Sequence, residues 1–293
     1  MKHSAPKVMG YEAYGLRIHS SLALWPGGAP VDHGAADLVV SHRVGIPGIG
    51  KLFCASAMDT GVSVPNVGEM RVRDGCHIEL TVAEGCAPDA AAVLAAGAGL
   101  GMALTQRGWF VLHGSAIRIG DTGVCVAGAS GAGKSTILAE LHRRGHFMIA
   151  DGMTPLRVCD GHVVAAPGPP IMKVWPSTAR QMGWDPESLV PISSAHDKCF
   201  RAVTERLEQR PARIHNVFAT VPASPVGVTA LEPREALMEL VKHAFLMEFA
   251  DAESGAVFLR QGAGILPLLR IARFFRGTSF GEIPLAVGAL VAS

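Results

Sequence analysis

The sequence predicts an α/β fold in two parts: a smaller β-rich N-terminal domain over residues 1–106 and a phosphate-loop α/β domain over 107–293. Three observations carry this prediction. Short strand-like runs divided by turns fill about the first eighty residues. From Trp109 onward, closely spaced apolar runs take over. The last of them leads into Gly128-Ala129-Ser130-Gly131-Ala132-Gly133-Lys134-Ser135, which fits G-x-x-x-x-G-K-[ST] with a strand before it and a helix after it.

Taken in order, Leu22 to Gly28 ends in turn residues, and the valine-rich Ala36 to Val44 reads as a strand. Glu69–Val72 and Cys76–Val82 read as a hairpin about Arg73-Asp74-Gly75. Pro88 to Arg107 reads as a helix closed by Gly108. Its low-charge stretch, Ala87 to Leu104, is broken by Pro88, Asp89 and glycines, which favours a packed helix over a membrane span. Trp109–His113, Ala116–Ile119 and Gly123–Ala127 follow as strands. Thr136 to Arg144 has helical spacing and stops at Gly145. Phe147–Ala150 is a strand ending at Asp151, and Leu156–Val164 is a hairpin about Asp160-Gly161. Past Pro167 the chain is proline-rich, then Ile214–Val221 reads as a strand and Pro233–Ala250 as a helix.

Composition narrows the functional classes. With 49% hydrophobic and 17% charged residues, the 293-residue chain is not a disordered one. A net charge of +1 gives no sign of a nucleic-acid binder. The six cysteines contain no C-x-x-C pair, which argues against a zinc site or a disulfide framework and for reduced thiols in the cytoplasm. Met1 to Gly10 lacks the apolar core of a signal peptide. The expectation is a cytoplasmic protein without nucleic-acid or membrane partners.

The loop itself implies ATP and Mg²⁺. Its glycines let backbone N–H groups curl around an anion, and the N-terminus of the following helix adds its dipole. Gly128 through Thr136 form the candidate nucleotide-binding set, with Lys134 for the β- and γ-phosphates and the Ser135 hydroxyl for Mg²⁺. Phosphoryl transfer further needs a carboxylate and additional positive charge. Asp151, sixteen residues past Ser135 at a strand end, is the candidate carboxylate, though a turn aspartate before Gly152 reads the same way. His113 ends a strand that faces the same edge in such a fold; a satisfied core histidine fits there equally. Cations are available in His196–Arg201 and Arg210–Arg213, and His243 has the weaker claim of a half-buried helix histidine.

Leu112-His113-Gly114, the loop Gly128–Thr136, and Arg144 to Asp151 together resemble the C-terminal domain of bacterial HPr kinase/phosphorylase and the wider set of HPr-kinase-like proteins. The match covers about His113 to Asp151. The resemblance implies a P-loop kinase domain of the HPr kinase C-terminal type, with His113, Lys134 and Asp151 at functional positions and Ser135 and Asp151 at Mg²⁺. It favours Lys198 and Arg201 over Arg213 as phosphate or substrate contacts. It implies a serine-bearing peptide or small protein as acceptor, a lasso-peptide precursor among them, and leaves a homo-oligomer open. There are departures. The family's second aspartate is Gly152 here, and Pro169–Pro176 replaces its glycine-rich acidic signature. No HPr-recognition region is evident, so HPr as substrate is not expected, and phosphorylase activity is left open.

The expected mechanism has Asp151, oriented by His113, accepting the proton of an attacking serine. The rival readings are an ATP-binding switch or scaffold with weak or lost transfer, and a small-molecule kinase.

Overall fold

A computed structural model describes residues 8–31, 34–48 and 53–293; residues 1–7, part of the stretch read for a leader, lie outside them. The chain is a mixed α/β protein with several sheets.

The first sheet holds β1 (Met9–Ala13), β2 (Leu16–Ser20), β3 (Ala29–Pro30), β4 (Leu38–Val44), β5 (Asp59–Val64), β6 (Gly68–Arg73) and β7 (His77–Val82), in the order β3-β1-β2-β4-β7-β6-β5. The β6–β7 hairpin forms about Asp74-Gly75, as the sequence predicts. Alternation along it buries Met70, Val72, Ile78 and Leu80 on one face. Against that face lies the helix of 88–106, made of α1 (Pro88–Leu94), a π-helical turn (Ala95–Gly99) and α2 (Leu100–Gln106). The approach is close at Gly99: a Cβ there would stand 2.9 Å from the Met70 sulfur. Gln106 fixes the helix end, accepting from the Gly75 N–H and donating to the Ala57 and Val72 carbonyls. By length and composition this helix is apolar enough to cross a bilayer. Here it packs between the first sheet and the strand that follows, with Leu100, Met102, Ala103 and Leu104 fully buried.

The next strands are β8 (Phe110–Leu112), β9 (Gly114–Ile119) and β10 (Thr122–Ala127), then α3 (Lys134–Arg143), β11 (Phe147–Ala150), β12 (Thr154–Cys159) and β13 (His162–Ala165). A small third sheet, β14-β16-β15, comes from β14 (Ile171–Val174), β15 (Val190–Ser193) and β16 (His196–Ala202), with α4 (Pro176–Gln181) between the first two. Last come β17 (Ala212–Val221), β18 (Gly227–Ala230), α5 (Pro233–Lys242), α6 (Ala252–Ile265), β19 (Arg270–Phe275) and α7 (Ile283–Ala292). The helix expected over Pro233–Ala250 ends at Lys242. His243 caps it, and the chain then turns so that Phe245 N–H bonds to Val111 O.

The second sheet runs β11-β9-β10-β17-β13-β12-β8, with β19 beside β17 and β18 outside it. β8 and β9 are one strand interrupted at His113. The β8 half pairs with β12 and the β9 half with β10 and β11, so the sheet curls back on itself. Thr154 Oγ1 closes the seam on Gly114 O at 3.0 Å. β10, β17 and β19 are parallel, and β11 runs the same way because both it and β10 are antiparallel to β9. Four strand ends therefore share one edge, where Gly128, Asp151 and Arg276 emerge.

One apolar core runs across residue 106: Ile18, Met70 and Ile78 of the first sheet belong to the same buried cluster as Leu104, Phe110, Ala116 and Phe258. A second cluster lies beneath α3 and α7, with Ile137, Leu138, Phe218, Phe274 and Val287.

Candidate phosphate-binding site

The loop between β10 and α3 opens on a cavity of about 410 Å³ lined by His113, Gly131, Gly133, Lys134, Ser135 and Thr136 from the predicted set. The same cavity is lined by Gly152, Lys173, Trp175, Lys198 and Arg276. Gly133 precedes α3 at φ +94°, a left-handed conformation that turns the chain into the helix and that L side chains rarely adopt. A Cβ there would also lie 2.7 Å from Arg276 Nε. Lys134 is buried, its Nζ donating to the carbonyls of Gly128 and Ala129 at 2.8 and 2.9 Å. Burial, then the charge of Lys198, bring its pKa down to about 8 against the opposing pull of Asp151.

Asp151 is buried at the end of β11 and is held by three donors. Ser115 Oγ and Ser135 Oγ donate to Oδ1 at 2.6 and 2.9 Å, and the Lys173 backbone N–H donates to Oδ2 at 2.7 Å. Strand direction brings Asp151 and Ser135 together. They are a pair of oxygen groups suited to a hard divalent cation; among the described residues no cluster of three or more His, Cys, Asp or Glu has metal-binding geometry.

His113 sits at the break between β8 and β9. Its N–H donates to His243 O at 2.7 Å, and its ring meets Phe245 edge-on at 5.7 Å. Burial, then the charges of Lys134, His243, Lys173 and Lys198, lower its pKa to about 4, so the imidazole is neutral near pH 7. His113 lines the cavity with Lys134, but no hydrogen bond joins it to Asp151 among the described residues. The orientation expected from His113 is supplied instead by Ser115, Ser135 and Lys173.

The three further cations part company. Lys198 lines the cavity, its ammonium 5.3 Å from the Trp175 ring centroid. Arg201 does not line it, because three residues along β16 reverse the face; its guanidinium stacks 4.0 Å over Trp184. Arg213 is also a correction: it stands at the start of β17, paired with Val164, at the opposite end of the sheet from the loop.

Sequence reasoning missed Ser115, Lys173 and Arg276. Arg276 follows β19 at the shared strand edge, and its Nε donates to Ala132 O at 2.8 Å, bracing the loop. Its signal in the sequence is the run Arg270–Phe275, which forms β19. Lys173 lies in the proline-flanked stretch Pro169–Pro176, where nothing local marks it as facing the loop.

The fold and this loop define a mixed α/β protein whose glycine-rich loop, a candidate anion cradle, lies at the ends of parallel strands. No family model matches the chain. Two curated relatives do, the HPr kinase/phosphorylase of Limosilactobacillus reuteri strain DSM 20016 and that of L. reuteri subsp. reuteri strain JCM 1112. Each is 40% identical over 62 residues, 21% of this chain and 19% of the relative. Over that stretch this chain is similar to these HPr kinase/phosphorylases, and the match spans about a fifth of their length. A solved structure of the HPr(Ser) kinase/phosphatase from Coxiella burnetii aligns over 61% of this chain and 87% of its own, at 11% identity and a TM-score of 0.34.

Proposed function

We propose that this chain is an ATP-dependent kinase that passes the γ-phosphoryl group to a serine hydroxyl on a peptide or small protein, with a lasso-peptide precursor as one such acceptor. In this reading residues 107–293 form a P-loop kinase domain of the HPr kinase C-terminal type, and 1–106 a β-rich N-terminal domain. The observation that carries it is the contact of Ser135 Oγ with Asp151 Oδ1 at 2.9 Å on the wall of a cavity that also holds Lys134. A loop serine beside a strand-end aspartate is the pair that holds Mg²⁺ in P-loop nucleotide enzymes.

Mg²⁺-ATP supplies the phosphoryl group and neutralises part of its charge. The chain's own residues do the rest. The loop amides and the α3 N-terminus bind the phosphates. Lys134 and Arg276, both already anchored on loop carbonyls, hold positive charge over the loop. Asp151, fixed by its three donors, takes up the acceptor proton or orients the hydroxyl. Neutral His113 closes the cavity beside Phe245. In a loose transition state positioning outweighs base strength, which suits a site with Gly152 in the second-aspartate place.

The test is incubation of the purified protein with Mg²⁺-ATP and serine-containing peptides, beside Lys134→Ala, with mass spectrometry for a gain of one phosphoryl group. A Lys134-dependent gain supports the kinase. ATP binding without transfer to any peptide, sugar or alcohol favours the second reading, a nucleotide-binding switch, for which the full set of donors on Asp151 speaks.

A further inference from the structure

The cations of the cavity fall into two groups. Lys134 and Arg276 are spent on the loop, each donating to its carbonyls. Lys173 and Lys198 stand on the third sheet, on β14 and β16, and line the same cavity from outside that loop. Among the described residues neither ammonium makes a hydrogen bond or an ion pair; Lys198 meets only the face of Trp175. Lys173 is fixed at its backbone by Asp151 Oδ2, and its side chain runs back over Gly152. Its Nζ lies 3.7 Å from where a Cβ on Gly152 would stand. The ammonium thus occupies the ground beside Asp151 onto which any side chain at 152 would project.

Two half-buried ammonium groups with no hydrogen-bond or ion-pair partner, facing one cavity, are costly unless an anion joins them. The charge of Asp151 reaches Lys173, but Asp151 forms an ion pair with neither lysine, and one carboxylate charge leaves two ammonium groups uncompensated. Building on the kinase reading, we infer that Lys173 and Lys198 form an anion subsite on the acceptor side, so that the preferred acceptor presents its hydroxyl next to an acidic group. The chemistry required is an oxyanion within a residue or so of the hydroxyl, either carboxylate or phosphate. Such an acceptor brings its hydroxyl to Asp151 while its anion is held over Gly152.

The experiment compares matched peptides in which serine is followed by aspartate, by phosphoserine or by asparagine, using the full chain and Lys173→Met. Wild type is expected to favour one or both acidic peptides by about tenfold in kcat/KM, the worth of one charge-assisted contact. The aspartate and phosphoserine arms identify which oxyanion is read. In Lys173→Met the preference should collapse towards unity while the affinity for Mg²⁺-ATP, measured by equilibrium dialysis, holds. Equal use of the asparagine peptide by wild type overturns the inference. So does a Lys173→Met variant that loses nucleotide affinity with its selectivity intact, which would place Lys173 on the ATP. If no peptide is phosphorylated at all, the kinase reading fails separately. The subsite is then read from binding of the same peptides to nucleotide-loaded protein: Lys173-dependent preference for the acidic ones sustains it, and indifference removes it.

Discussion

At Asp151 an isosteric change separates charge from shape. Asp151→Asn keeps the volume but puts an amide where Ser115, Ser135 or the Lys173 N–H needs an acceptor. A loss of about 1–3 kcal/mol of stability is expected in denaturant titration, and turnover should fall far more than nucleotide affinity. Retained turnover would reject Asp151 as the reacting carboxylate. His113 makes a pH prediction. Its folded pKa of about 4 lies below its ordinary 6.5, so between these values the unfolded chain binds more protons. Stability rises with pH across that window and is lost as pH falls through it. His113→Gln should flatten the slope by up to about 3 kcal/mol between pH 7 and 4, read as the difference between two urea titration series. An unchanged slope would mean that the imidazole is not held neutral.

At the scale of elements, the loop and its braces are the sensitive parts. Gly133→Ala forces a side chain into a left-handed turn and against Arg276. A cost of about 1–3 kcal/mol is expected, with weaker nucleotide binding by dialysis. Leu104→Ala in α2, fully buried, should cost about 2–5 kcal/mol in denaturant titration without touching the cavity. The elements that were legible in sequence share a cause: each carries its signal within a few neighbouring residues. The glycine spacing of 128–133, the hairpin turn at Asp74-Gly75 and the apolar run ending at Asp151 all do. β14 and β19 do not, because these short runs, each carrying a basic residue, become strands only by pairing with partners distant in sequence. Arg201 and Arg213 misled for a related reason. Basic character is visible in a sequence, but the face of a strand and the end of a sheet are not.

For the whole molecule, the continuous core across residue 106 is the governing fact. Tyr14, at the tip of the β1–β2 hairpin, donates its N–H to Pro167 O at 2.6 Å. Burial and then the charge of Asp151 raise the pKa of its hydroxyl. The first sheet is thus fastened to the site as well as to the core. Scanning calorimetry should record one cooperative transition, and a fragment of 107–293 should be less stable than the same residues in the full chain. Two well-separated transitions would show the halves to be independent.

The brace at Arg276 has a consequence in time. It reaches Ala132 from 144 residues further along the chain. The cradle therefore closes only after β19 has found β17, and such distant pairings form slowly. A polyanion that recognises the closed cradle has nothing to grip on the way up. It should lengthen the life of the native protein by slowing its unfolding while leaving the refolding rate where it was.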